Sequence, residues 1–354
     1  MHTPSRRSVL RSGAALAAIL AAPARLRAAT KEIVIGGPAG AAKYFNADLF
    51  PVLEKKLDCK VLYEGTNSLT NLQKMQADKA SPKISVVIMD DPVMLPAASE
   101  GLITKMSAAS IANLGKLVDG SVHQDGLWAN YQRPWAGIAY STKRMKTPPA
   151  KWSDLWDAKY ASKVIVPSLS NTEGFWTLLA AAHLETGKPY KEAQYLADKA
   201  WPKLMELKPN VFKLYDTDDA SLQVAQGEGA IGGPEYSKYV LPYKLKGASI
   251  EMCYPKEGAF AGVNCQMLVK NAPNQDLGAE FMNRMLSPEV QQGLAEVALA
   301  APSIGGLTFK SPIADLIAYP DTKMDSLGLF SPDWAYVNSV RSSWVEKLNQ
   351  IFTA

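Results

Sequence analysis

WANYQRPWAGIAYST (residues 128–142) decides how the chain is read, because it reads as one long extended segment and not as a compact element. On both sides of it short apolar strands alternate with amphipathic helices, the pattern of layered α/β structure. Upstream lie strand EIVIGG (32–37), the loop PAGAA, a helix over 46–57, strand CKVLYEG (59–65), a helix over 69–77 and strand ISVVIMDD (84–91). These strands lack strict alternation, which suits a parallel sheet buried on both faces.

Downstream a second series begins with strand SKVIVPSLS (162–170) and a helix from Thr172, for which Asn171 suits the N-cap. A long helix over 191–207, strand FKLYDT (212–217), a helix starting at Asp218-Asp219, and strands AIGG and SIEMCYP complete it. FAGVNCQMLV (260–269) is again long and extended, and leads to helices over 275–287 and 287–299, with Ser287 and Pro288 at N-cap and N1 of the second. Two α/β lobes joined by two extended segments form a hinged pair with a cleft between them. Val337, Val340, Trp344, Leu348 and Ile351 form an apolar stripe on the last helix, which is packing.

Residues 5–10, SRRSVL, precede an uncharged run over 13–24 and small residues before Thr30, the three parts of an export signal. The paired arginines resemble the twin-arginine signal, with Val9 where that signal prefers Phe; general secretion stays open as the other route. The run is shorter than the ~20 residues a membrane-spanning helix needs. The first cysteine is Cys59, so none ends the leader to carry a lipid. Residues 1–29 are therefore expected to be a cleaved leader, and the product a soluble periplasmic protein.

Five of the 38 basic residues (Arg6, Arg7, Arg11, Arg25, Arg27) and none of the 34 acidic ones precede Ala28. The remaining chain carries 33 against 34, so the basic balance belongs to the leader and argues nothing for nucleic acid. Beyond the leader only His123 and His183 remain, and Cys59, Cys253 and Cys265 form no CxxC. Haem, iron–sulfur and structural zinc are thus not expected, and no cofactor is assigned. Cys253 and Cys265 are the cysteines closest in sequence, but spacing alone fixes no disulfide. Neither GxGxxG, GxxxxGK[ST] nor GxSxG occurs, so nucleotide binding and nucleophilic catalysis have no motif behind them.

Three stretches then carry a resemblance: GIAYSTKRMKTPPAKWSDLWDAKYASKVIVP (137–167), QGEGAIGGPEYSKYV (226–240) and PKEGAFAGVNCQMLVKNAPNQDLGAEFMNRMLSPEVQQGLAE (255–296). In order and spacing the chain resembles periplasmic solute-binding proteins of ABC importers, in the branch with polyamine- and ferric-iron-binding members. The resemblance implies an α/β, two-lobed type II periplasmic binding fold that captures a solute by hinge closure. It implies a membrane permease as partner, a monomer, no catalysis and no cofactor. The lobes are expected as 30–134 plus 264–310, and 135–263 plus 311–354.

Ligands of open parallel sheets sit beyond the carboxyl ends of strands. The loop after the second strand offers Thr66 and Asn67, whose other reading is a turn and helix cap. Asp90 and Asp91 follow the third strand and could accept an ammonium group or cap a helix. Arg133 and Trp135 lie in QRPWAG, which departs from the PYxWG segment of the family; Arg133 could pair with an acid group or make a surface salt bridge. Asn171, Thr172 and Glu173 stand at a helix start, which favours an anion. Glu235 and Tyr236 occupy a loop where relatives place an aromatic contact. Tyr236 and Tyr239 resemble the tyrosines of iron binders, which are usually adjacent. Asn264 stands where polyamine binders tend to carry Asp. Together these features point to a small polar solute with an anionic end, a zwitterion such as an amino acid-like or aminophosphonate compound. A polyamine, ferric iron, and a role as partner of a membrane sensor stay open.

Replacing Arg6 and Arg7 with Lys should block export, read by fractionation; normal periplasmic accumulation of that double variant would mean ordinary secretion.

Overall fold

A computed structural model of the chain describes residues 31–169, 171–215 and 220–353. The leader, Ser170 and the Asp218-Asp219 helix start lie outside the described residues.

The first sheet has the order Ala301–Pro302, Trp128–Arg133, Asn264–Val269, Val86–Asp90, Lys31–Pro38, Cys59–Thr66. The second has the order Ile250–Cys253, Trp135–Ser141, Ile231–Tyr236, Val164–Pro167, Val211–Tyr215. Parallel pairs form the centre of each: Ile35 lies opposite Val86, and Ile231 opposite Val164. In both sheets the strand that arrives directly from the other lobe runs antiparallel. Asn264–Val269 does so beside Val86–Asp90, with Asn264 opposite Asp90, and Trp135–Ser141 does so beside Ile231–Tyr236. The expected extended segments are therefore the two crossovers between one two-lobed pair of sheets.

Pro134 separates Trp128–Arg133 in one sheet from Trp135–Ser141 in the other. A proline has no N–H for a ladder, so the pairing ends there and the chain is free to change sheets. The second crossover lies beside the first: Gly262 N–H donates to the Pro134 carbonyl at 2.9 Å. Glycine is required at that approach. A Cβ on Gly262 would stand 2.2 Å from Cε1 of the buried Tyr236 and 2.7 Å from the Pro134 oxygen.

Each sheet has its own core. Ile33, Ile35, Phe45, Val86, Tyr131 and Phe281 pack on the first. On the second, Trp152, Phe175, Trp176 and Phe260 pack with Trp344 and Leu348 of the C-terminal helix Trp334–Thr353, which thereby belongs to that lobe. The helix Thr172–Thr186 is buried nearly all round, so its sequence shows no polar face.

Two helices depart from the expected form, both at prolines. The span 46–57 opens into a π-helical turn at Phe45–Leu49 before Phe50–Leu57, with Pro51 in its first turn. The span 191–207 divides into Tyr190–Ala193, a 3₁₀ stretch and Trp201–Leu207, with Leu196 outside helical geometry and Pro202 starting the last piece. A proline inside a continuous helix would lose a hydrogen bond and clash with the carbonyl four residues back.

Gly262→Ala should destabilise the protein by about 1–3 kcal/mol in denaturant melts, as overpacking does. Gly293, in the helix Pro288–Ala298, has nothing within 4 Å of an added Cβ, so Gly293→Ala should stabilise instead. Equal behaviour of the two variants would refute the close approach at Gly262.

Candidate functional site

The carboxyl ends of both sheets meet at a small cavity of about 40 Å³. Pro38, Ala39, Thr66, Asn67 and Asp90 line it from the first sheet, and Asn171, Thr172, Glu173, Tyr236 and Tyr239 from the second. Arg341, on the C-terminal helix, completes it.

Two helices begin at this cavity. Asn67 caps the helix Ser68–Ala77, its Oδ1 accepting from the Thr70 N–H at 2.8 Å, so this side chain serves the cap. Asn171 stands at the N-cap of Thr172–Thr186 but makes no side-chain cap bond; its Nδ2 donates to the Tyr215 carbonyl. The first-turn N–H groups of that helix are thus not taken by Asn171, and they favour negative charge.

Arg341 is the exceptional group. Its guanidinium lies 4.7 Å from the Phe175 ring centroid, and among the described residues it makes no hydrogen bond or ion pair. Its Nε is buried with no acceptor. Burial lowers its pKa to about 10, with the Asp90 carboxylate pulling in the opposite direction, so it remains a cation at neutral pH. The residue as a whole is partly exposed and only its Nε is buried, so the guanidinium stands at the cavity wall with donors that an anion could meet.

Behind the cavity a hydrogen-bond network joins the lobes. Asp90 accepts from Thr172 Oγ1 at 2.8 Å and from Asn264 Nδ2 at 2.5 Å. Asn264 Oδ1 accepts from Gln132 Nε2 and from Lys238 Nζ, both at 2.8 Å. Lys238 is buried, with its ammonium 4.7 Å from the ring centroids of both Tyr236 and Tyr239. Asp91 accepts from Trp334 Nε1 at 2.7 Å, and Asn338 donates to the Pro92 carbonyl at 2.6 Å. Burial, reinforced by Asp90, pushes the Asp91 carboxyl well above its usual range. Burial first, then Asp90, Glu173 and Asp91, raises Tyr236 and keeps it a phenol.

Seven of the twelve residues expected at a site therefore line one cavity: Thr66, Asn67, Asp90, Asn171, Thr172, Glu173 and Tyr236. Asp91, Glu235 and Asn264 do not line it. Asn264 has no exposed surface and its amide is spent on three protein partners; Glu235 is also buried and accepts from the Tyr236 N–H. Arg133 and Trp135 lie apart from the cavity. The Arg133 guanidinium donates to Asp321 at 2.6 Å and to the Pro302 carbonyl, the salt bridge that was its other reading. Trp135 packs on Tyr254. Alternation along the strand explains Arg133: Gln132 turns to Asn264, so its neighbour points to the opposite face. Arg341 was missed. Its signal is a charged residue four after the buried Val337 and three before the buried Trp344, inside the apolar stripe. None of the three cysteines forms a disulfide, and Cys253 and Cys265 lie in different sheets.

Two sheets of matching strand order, exchanged twice and enclosing a polar cavity, define a two-lobed solute receptor. The chain belongs to the bacterial extracellular solute-binding protein family, whose profile matches residues 81–325. It is 21% identical over 315 residues to the spermidine/putrescine-binding periplasmic protein of Escherichia coli K12, covering 86% of this chain and 89% of that one. It is 20% identical over 270 residues to a Salmonella typhi periplasmic protein named for 2-aminoethylphosphonate binding, with 74% of each chain covered. The structure of the periplasmic binding protein AfuA from Actinobacillus pleuropneumoniae, solved with fructose-6-phosphate, superposes with a TM-score of 0.74 at 20% identity, covering 90% and 99%. The protein is a periplasmic substrate-binding component of an ABC importer, and not an enzyme. No described helix is long and apolar enough to cross a membrane.

Asp91 gives a pH test. Its raised folded value means that folding binds a proton between about pH 4, the ordinary carboxylate value, and that raised value. Stability from this group is complete below pH 4 and is lost as pH rises through the folded value. Asp91→Asn keeps an oxygen acceptor for Trp334, so its melting temperature relative to wild type should climb from pH 4 to pH 8. A difference independent of pH would contradict a raised Asp91.

Proposed function

We propose that the cleft captures a small solute with an anionic end, bound by Arg341 and the first turn of Thr172–Thr186, and an amine directed toward Asp90 and Glu173. The observation that carries this reading is the buried Arg341 Nε without an acceptor at the cavity wall. The 2-aminoethylphosphonate named for one relative has this combination of charges. The lobes, taken as 30–134 plus 264–310 and 135–263 plus 311–354, turn about Pro134 and Gly262, and closure assembles the contacts of Thr172, Lys238 and Trp334. Export by the twin-arginine route and action as a monomer complete the proposal.

A polyamine is the second reading, supported by the polyamine-binding relatives and by the carboxylates at the site. One feature weighs against it: a solute with no anionic end would leave the Arg341 Nε without an acceptor and add only positive charge beside it. Ferric iron is disfavoured because the Lys238 ammonium stands 4.7 Å from the ring centroids of both Tyr236 and Tyr239, a cation already beside the phenols that would have to hold another.

Calorimetry with 2-aminoethylphosphonate and with putrescine separates these readings. Wild type should prefer the zwitterion, and Arg341→Met should lose about 30-fold or more, as truncation of a buried charged pair does. Arg341→Lys should rescue only in part. Arg133→Ala should stay within a few-fold of wild type. Tighter binding of putrescine, or an undiminished Arg341→Met, would overturn the proposal.

A further inference from the structure

A second cavity, of about 390 Å³, opens beside the first. Lys43, Tyr44 and Asp48 line it from the first lobe, and Tyr239, Tyr243 and Lys246 from the second. The two spaces are neighbours: Tyr239 lines both, and Ala39 of the first is followed by Gly40 of the second. Both lobes contribute to its wall, so it takes shape as the lobes come together.

The sizes set the roles. A water occupies about 10–15 Å³ of such space, so the first cavity has room for about three water-sized groups. That is a headgroup. The second has nearly ten times the room, enough for the body of a solute. Its chemistry differs from the first. Three tyrosines, Tyr44, Tyr239 and Tyr243, line it, with the Lys238 ammonium over the Tyr239 ring, and Lys43, Lys238 and Lys246 outweigh Asp48. Lys238 links the two spaces, since its ammonium faces the rings of both Tyr236 and Tyr239. The adjoining chain carries the π-helical turn Phe45–Leu49, a feature common at functional sites.

We propose that this tyrosine–lysine cavity is a second compartment of the solute site and receives an aromatic ring, so that the solute carries a ring beyond the anionic head held at Arg341. The proposal rests on the reading of Arg341 as the anion anchor, and it adds the chemical class of the rest of the molecule.

Phenylphosphonate and methylphosphonate form a matched pair of probes for the full chain, differing only in the ring. Calorimetry should show phenylphosphonate bound about tenfold more tightly, the scale of an aromatic contact with its buried area. Tyr243→Ala should erase that preference and leave methylphosphonate unchanged. Lys246→Glu, a surface change that keeps the fold, should also reduce phenylphosphonate binding more than methylphosphonate binding. Arg341→Met should weaken both probes together. Equal affinity of the two probes, absence of phenylphosphonate binding, or a preference that survives Tyr243→Ala would overturn the compartment. If methylphosphonate still depends on Arg341 in that case, the anion anchor stands alone. If the ring preference vanishes in Tyr243→Ala while neither probe responds to Arg341→Met, the compartment stands and the anchor fails.

Discussion

A guanidinium that no group among the described residues accepts from, placed where the carboxyl ends of two sheets meet, is the constraint on which the proposed site depends. Arg341 is brought there by a helix whose remaining inward residues, Val337, Trp344 and Leu348, are ordinary core. Its guanidinium lies over the Phe175 ring, and Asp90 lies near enough to influence its charge without pairing with it. On the proposed reading, an anionic solute supplies the acceptor that the Arg341 Nε lacks, and closure of the lobes completes its surroundings.

The remaining polar residues hold the two surfaces in register. Asn264 is the centre of that network: its Oδ1 accepts hydrogen bonds from Gln132 on its own sheet and from Lys238 of the other lobe, and its Nδ2 donates one to Asp90. Thr172 and Trp334 reach across to the adjacent carboxylates of Asp90 and Asp91. Every one of these contacts is short range and polar, so water can replace it when the lobes part. The crossovers are suited to that motion. Pro134 carries no ladder hydrogen bond, and Gly262 lets the second strand pass against the first.

Much of the fold was legible because apolar runs without alternation announce parallel strands, and because two extended segments of that length had to leave one sheet for another. The candidate residues at strand ends followed from the same reading: Thr66, Asp90 and Tyr236 are the last residues of their strands and Thr172 the first of its helix, at the carboxyl ends where α/β sheets bind ligands. Strand parity around Pro134 was not legible, and it sent Arg133 to Asp321. Asn264, expected among the ligand contacts, lies behind the cavity and does not line it; its partners lie in three other segments and no local pattern reveals them. Arg341 is the largest omission. The stripe on the last helix could be read, but the return of that helix to the cavity is set by tertiary packing with Phe175 and Trp176, about 165 residues earlier in the chain.

The most direct test is a crystal structure of the closed protein purified with its natural solute. An acidic oxygen of that solute should lie within hydrogen-bond distance of Arg341 Nε and of an N–H in the first turn of Thr172–Thr186. A solute with no acidic group, together with an Arg341 paired to a protein carboxylate, would contradict the account.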